Sequence, residues 1–206
     1  MSTLTKAPPE QLIVSISEIL VNKGLKSTTM DTIAATLSIS KRTLYEYFGS
    51  KKDMIFKVMG YWLEWRTRLT EKIINEASNV MEGLIKVFDN QQKMINDVNV
   101  KFYREMDKFY PDIRRMLDGE SDQWVKKIMV IINKGVEQGV FRPDVNYPVI
   151  LSLKRIQMES LKRMQEVFPP NITMEEAMAT INISFLRSIA SPTGMEILDR
   201  LTSNPI

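Results

Sequence analysis

The run from Thr28 to Lys51, TTMDTIAATLSISKRTLYEYFGSK, decides the fold of this chain. Thr28, with Asp31 three residues on, has the spacing of a capping box, and Met30, Ile33, Ala34 and Leu37 then recur at offsets of three, four and seven. Those offsets place four apolar side chains on one face of a short helix. Ser38-Ile39-Ser40 interrupts the period, and Ser40 is placed to cap a further helix, Lys41 to Phe48, in which Leu44 and Phe48 share a side. Residues four apart are neighbours on a helix surface, so this side faces a core. Gly49 ends the helix, and Ser50 with Asp53 three residues later opens the next.

Working outward, Pro8 and Pro9 can open a first helix carrying Leu12, Ile16, Ile19 and Leu20 on one face, with Gly24 as its stop. Three apolar stripes and a three-residue turn make a helix-turn-helix with a supporting first helix. The fourth helix runs on, with Met54, Val58, Trp62, Trp65, Leu69 and Ile73 holding one stripe for several turns. Beyond it the spacing predicts helices near 79–96, 99–109, 112–138, 146–168, 174–190 and 192–202, broken at Tyr110-Pro111, the Gly139 to Pro143 turn, Phe168-Pro169-Pro170 and Ser191-Pro192. Asp118-Gly119 is the weak point of the helix after Pro111, and Thr173 with Glu176 is a capping box for the one that follows it. The fold expected is all-α, with about nine to ten helices: a three-helix head over residues 1–50 and a helical body over 51–206.

Composition narrows the function. The 206 residues contain neither cysteine nor histidine, which removes thiolate nucleophiles, imidazole bases, disulfides and Cys/His metal sites together. With no glycine-rich phosphate loop and no convincing carboxylate pair, an enzyme is not expected, and neither a metal nor a cofactor is called for. No apolar run reaches the length of a membrane span, so a cytoplasmic location and no membrane partner are expected. The net charge is +3. Through residue 58, eight basic side chains stand against five acidic ones, a difference of three that accounts for the whole excess. Any affinity for nucleic acid must come from this head, where Lys41, Arg42 and Lys51 surround the third helix.

The segments Thr28 to Ala34 and Ser38 to Lys51 together resemble the N-terminal signature of the TetR family of repressors. The match covers about a quarter of the chain and is specific, because it fixes the turn, the recognition helix and the start of the next helix at once. Ser38 departs from the family pattern, which has glycine in the turn. A side chain there either takes a left-handed conformation at a cost of about 1 kcal/mol or shifts the turn slightly.

The resemblance implies sequence-specific binding of double-stranded DNA at a pseudo-palindromic operator, with the N-terminal part of the third helix foremost in the major groove. Ser40, Lys41, Arg42, Thr43 and Tyr45 then lie nearest the DNA, and Arg42 is the best base reader because a guanidinium pairs bidentately with guanine. Tyr47, Lys51 and the hydroxyls or amides of Thr28 and Thr29 suit phosphates. The resemblance further implies an apolar small-molecule effector enclosed by the body, with Trp62, Trp65, Met94, Phe102, Tyr103, Met106, Trp124 and Met158 as candidate lining. Each of these is equally suited to filling a core.

Two late helices carry apolar residues on more than one face. Ile150, Leu153, Gln157, Leu161, Met164 and Phe168 form one stripe while Leu151 and Met158 lie elsewhere, and Ile181, Phe185 and Ile189 compete with Ile183 and Leu186. A second apolar face requires a second partner. The helices near 146–168 and 174–190, meeting their symmetry mates, would form the four-helix dimer interface that the family uses. The function expected is a homodimeric repressor released from its operator by a small molecule. A different class, a helical ligand-binding or protein-interaction protein whose module no longer reads DNA, predicts that Arg42→Ala and Lys41→Ala change nothing.

Overall fold

A computed structural model of the chain describes residues 7–96, 100–113, 121–161 and 164–202. Among them are eleven helices and no strand: α1 (Glu10–Lys23), α2 (Met30–Thr36), α3 (Lys41–Phe48), α4 (Lys51–Glu76), α5 (Val80–Asn96), α6 (Val100–Phe109), α7 (Ser121–Glu137), α8 (Tyr147–Ser160), α9 (Met164–Val167), α10 (Met174–Ile189) and α11 (Pro192–Thr202). The expected all-α fold is therefore observed. The expected break at Asp118-Gly119 lies outside the described residues. The chain divides into two compact units, Met1–Arg68 with Asp97–Glu120, and Leu69–Asn96 with Ser121–Ile206. Helix α4 passes from the first unit into the second after Arg68.

The first unit is built on one apolar core. Ile13, Ile16, Ile19 and Leu20 of α1, Met30, Ile33 and Ala34 of α2, Leu44 and Phe48 of α3, and Met54, Ile55, Val58 and Met59 of α4 are all buried in it. Phe102 and Met106 of α6, with Ile113, complete the same core. The stripe expected along α4 holds at Met54 and Val58, but Leu63 is buried in place of Trp62, and Trp65 is 40% exposed. Instead Trp62 carries the Arg66 guanidinium over its ring at 5.1 Å, a use of an aromatic face that keeps the cation near water.

Two helix ends in this unit set the geometry of the head. Helix α2 closes with a Schellman arrangement, Ile39 donating to Ala34 O at 3.0 Å and Ser38 to Ala35 O at 3.3 Å, which requires a left-handed residue at Ser38. Ser38 adopts it, with φ 53°. Of the two alternatives open at this turn, the strained serine is the one realised. At the far end of α3, Gly49 takes φ 73° and its amide donates to Tyr45 O, closing the helix without a side-chain penalty.

In the second unit, α5, α7, α8, α10 and α11 surround a core of Val80, Met81, Leu84, Val87, Phe88, Ile132, Phe141, Leu151, Phe185, Leu186, Ile189 and Leu198. A smaller cluster of Leu161, Ala177, Met178 and Ile181 adjoins Met158 and Phe168. The capping box at Thr173 and Glu176 forms as expected, Glu176 N donating to Thr173 Oγ1 and Thr173 N to the Glu176 carboxylate. Helix α8 buries Leu151 and Lys154, and Leu161 at its C-cap, whereas Val149, Leu153 and Ile156 are 51%, 50% and 59% exposed, so the expected stripe divides, with Leu161 buried and Leu153 in water. Lys154 is a charged residue on the inner face, where no count of apolar spacing would place it.

Candidate nucleic-acid interface

Helix α3 is amphipathic around a fixed pivot. Leu44 and Phe48 are buried, while Lys41, Arg42, Tyr45 and Glu46 are exposed and Thr43 and Tyr47 half-buried. Its start is capped as the sequence predicts: Ser40 Oγ accepts from Thr43 N at 3.0 Å and sits 2.7 Å from Thr43 Oγ1. Lys41 pairs with Asp31 of α2 at 2.7 Å, and Arg42 pairs with Glu46 one turn on at 2.8 Å. Hydrogen bonding to Asp31 and its charge raise the Lys41 pKa, and Glu46 does the same for Arg42. Both cations stay charged. Ion pairs this exposed contribute little to stability, so their carboxylates are readily exchanged for another anion.

The approach to α2 differs from the sequence expectation by one residue. Thr29, not Thr28, caps the helix: its Oγ1 accepts from Thr32 N at 3.1 Å, and Thr32 Oγ1 accepts from Thr29 N at 2.8 Å. Thr28 is fully buried and its hydroxyl donates to Gly24 O at 2.7 Å. Burial takes the Thr28 hydroxyl away from any ligand and leaves Thr29, which is exposed. Tyr45 is 41% exposed. Tyr47 packs its ring edge-on against Phe48, with centroids 6.3 Å apart, so its ring belongs partly to the core.

Lys51 behaves differently from the two cations of α3. Its ammonium donates to Leu25 O in the loop between α1 and α2, and partial burial lowers its pKa. The same loop is held a second time by Glu105 of α6, buried at 7% exposure, whose carboxylate accepts from Lys26 N at 2.8 Å. Lys52 bridges to Asp112 at 2.8 Å. The first two contacts, across 26 and 79 residues of sequence, hold the loop that leads into α2, and the third spans 60 residues. Glu105 and Asp112 have no local pattern that would have marked them.

The residues expected to line an effector pocket fall in both units. Phe102 and Met106 are buried in the core of the first unit, and Trp62 and Trp65 belong to the same unit but not to that core. Met158 lies in the second unit against the small cluster of α8 and α10. The side chains of Met94, Tyr103 and Trp124 lie outside the described residues. Among the described residues no group of acidic side chains could hold a metal ion, and no helix is long and apolar enough to cross a membrane.

Comparison with known proteins agrees with this geometry. Residues 12–58 match the model of the bacterial regulatory proteins, tetR family. The HTH-type transcriptional repressor KstR2 of Mycolicibacterium smegmatis is 26% identical over 145 residues, which are 68% of this chain and 71% of that protein. A transcriptional regulator from Cytophaga hutchinsonii superimposes with a TM-score of 0.70 at 18% identity, covering 88% of this chain and 98% of that one. A protein from Saccharomonospora viridis, solved in complex with choline, does so at 0.68 and 18% identity, over 88% and 96%.

Proposed function

We propose that this chain, a TetR-family DNA-binding transcriptional regulator and not an enzyme, represses as a homodimer that a small molecule releases from a pseudo-palindromic operator. The observation that carries the reading is the outer face of α3. Ser40, Lys41, Arg42 and Tyr45 stand in water on a helix anchored by Leu44 and Phe48. A short helix fixed from below and cationic above fits a major groove.

In this reading Arg42 leaves Glu46 for a guanine edge, Lys41 leaves Asp31 for a phosphate, and Thr43 meets a thymine methyl or a phosphate. Thr29, Tyr45, Tyr47 and the Ser40 amide complete the backbone contacts. Lys51 acts mainly by holding the loop between α1 and α2, and the amide of Thr28, not its hydroxyl, is what that loop offers to a phosphate. Affinity for the chain's own promoter DNA above that for scrambled duplex, at about 150 mM salt, tests the reading. Equal affinity for the two would overturn it.

Dimerisation is supported by α8. Val149, Leu153 and Ile156 recur at four- and three-residue spacing on its outer face, and a row of large apolar side chains in water calls for a partner surface. A second copy presenting the same row makes a closed two-fold contact, and a dimer that reads a pseudo-palindrome needs its two α3 helices roughly 34–36 Å apart, one turn of DNA. Leu153→Glu is expected to yield monomers in size-exclusion chromatography with light scattering. A variant that stays dimeric would move the interface elsewhere. Release would need the effector to prefer the conformer that fits DNA poorly, with a coupling of about 1–3 kcal/mol, or about 5- to 150-fold in affinity. The choline complex of the Saccharomonospora viridis protein supports small-molecule binding by this fold.

A further inference from the structure

In the second unit, Lys154 of α8 is a buried cation with no anionic partner among the described residues. It is 8% exposed. Its ammonium lies 4.1 Å from the ring centroid of Phe88 and 4.9 Å from that of Phe185, and donates to Asn182 Oδ1 at 2.5 Å. The two rings meet edge to face at 6.3 Å, forming an aromatic corner around the charge. Asn182 is 3% exposed, and its Nδ2 has no hydrogen-bond partner among the described residues. No carboxylate pairs with Lys154 among them either, and burial alone pushes its pKa down to about 7. Leu151 and Met178, both 1% exposed, and the partly buried Met158 extend the apolar surroundings.

Both groups are costly as they stand. A buried amide donor left unpaired and a buried ammonium with no counter-ion each carry a desolvation penalty that a partner would remove. What is missing has a definite chemistry. Two ammonium N–H bonds and both N–H bonds of the amide remain to be accepted, by something bearing one negative charge, since one cation balances one. A carboxylate meets that description. A doubly charged phosphate would leave a net negative charge in an apolar site, and a cationic ligand would be repelled from an aromatic corner that Lys154 already fills.

We propose that Lys154 and Asn182 form an anchor for the carboxylate of an acidic small molecule whose apolar body lies among Phe88, Phe185, Met178 and Met158. The proposal deepens the effector reading and rests on it for its regulatory meaning, though not for the binding itself. The carboxylate accepts from Lys154 Nζ and Asn182 Nδ2, and its arrival restores full charge to the ammonium.

The test uses the full-length protein with octanoate and phenylbutyrate at about 5 mM, against their primary amides and octylamine. The two acids are expected to raise Tm by about 3–5 °C, and the amides and the amine by less than about 1 °C. Lys154→Met removes the cation, and Asn182→Asp supplies a carboxylate from within the chain. Both variants are expected to fold with at least wild-type stability without ligand and to lose the acid-dependent shift, the Met variant because an uncompensated buried charge is gone. Equal shifts from acids and amides, a shift retained in either variant, or no shift from either acid would overturn the proposal. Operator release measured in parallel separates the two readings. Release by a neutral or cationic compound with no acid binding sinks the carboxylate anchor and leaves effector control standing; acid binding without release keeps the anchor and sinks effector control.

Discussion

Arg42 and Lys154 carry the same charge in opposite settings. Arg42 stands in water beside Glu46, its side chain 89% exposed, whereas Lys154 is buried between two aromatic rings with an amide oxygen as its acceptor. The exposed cation already has an anionic partner and can trade it at little cost. The buried one has none among the described residues, and its environment raises the penalty for being charged. A surface meant for a polyanion needs many weak, exchangeable contacts, while a recess meant for one small anion needs few donors and no water.

That contrast can be broken at its base. The outward charge of α3 depends on the platform beneath it, so Phe48→Ala, which empties a nearly inaccessible aromatic site, is expected to cost about 3–5 kcal/mol in urea denaturation and to remove DNA binding with it. An α3 that still binds its operator after this change would mean the helix does not need its anchor.

The buried end of the comparison is sharpened by pH. A lysine whose folded pKa is depressed to about 7 from 10.5 makes stability rise with pH wherever the unfolded chain holds a proton that the folded chain does not. The cost of the buried charge is full below about 7, shrinks as pH rises, and is gone above 10.5. Wild type is therefore expected to gain about 2–4 kcal/mol relative to Lys154→Met between pH 7 and 10.5. Parallel stability curves for the two proteins would place the lysine in water.

At the exposed end, Arg42→Ala is expected to lower operator affinity by about 10- to 100-fold and to relax the preference at one base pair, while Lys41→Ala reduces the slope of affinity against salt by about one and leaves sequence preference intact. Titration of both variants across a salt series distinguishes the two roles. The smallest effect belongs to the turn between them: Ser38→Gly relieves the left-handed strain but loosens the unfolded chain, so a net gain of less than about 1 kcal/mol is expected from thermal unfolding, with DNA affinity unchanged.

Legibility in the sequence followed the range of the interactions. The head was readable because its signals are local: Ser40 caps α3, Gly49 ends it, and Leu44 and Phe48 turn inward as their spacing requires. The cap of α2 was displaced by one residue because Thr28 and Thr29 are chemically alike, and only burial of Thr28 against Gly24 O decides between them. Apolar spacing says that Phe102 and Met106 face inward and not into which core they go; α6 belongs to the first unit. The inner face of α8 is not legible for the converse reason, since a lysine at the centre of a buried stripe reads as a surface residue until its aromatic neighbours on α5 and α10 are known.

The grip of Glu105 on the backbone of Lys26, over 79 residues of intervening chain, bears on how the protein is made and cut. During synthesis the reading head emerges long before α6, so Phe102, Met106, Ile113 and the carboxylate that fixes the α1–α2 loop are all absent when its first three helices leave the ribosome. The head must wait, partly open, for its last wall. A fragment ending at Arg68 is by the same logic a broken piece and not a portable cassette, and grafting this specificity onto another regulator would require carrying α6 along with it.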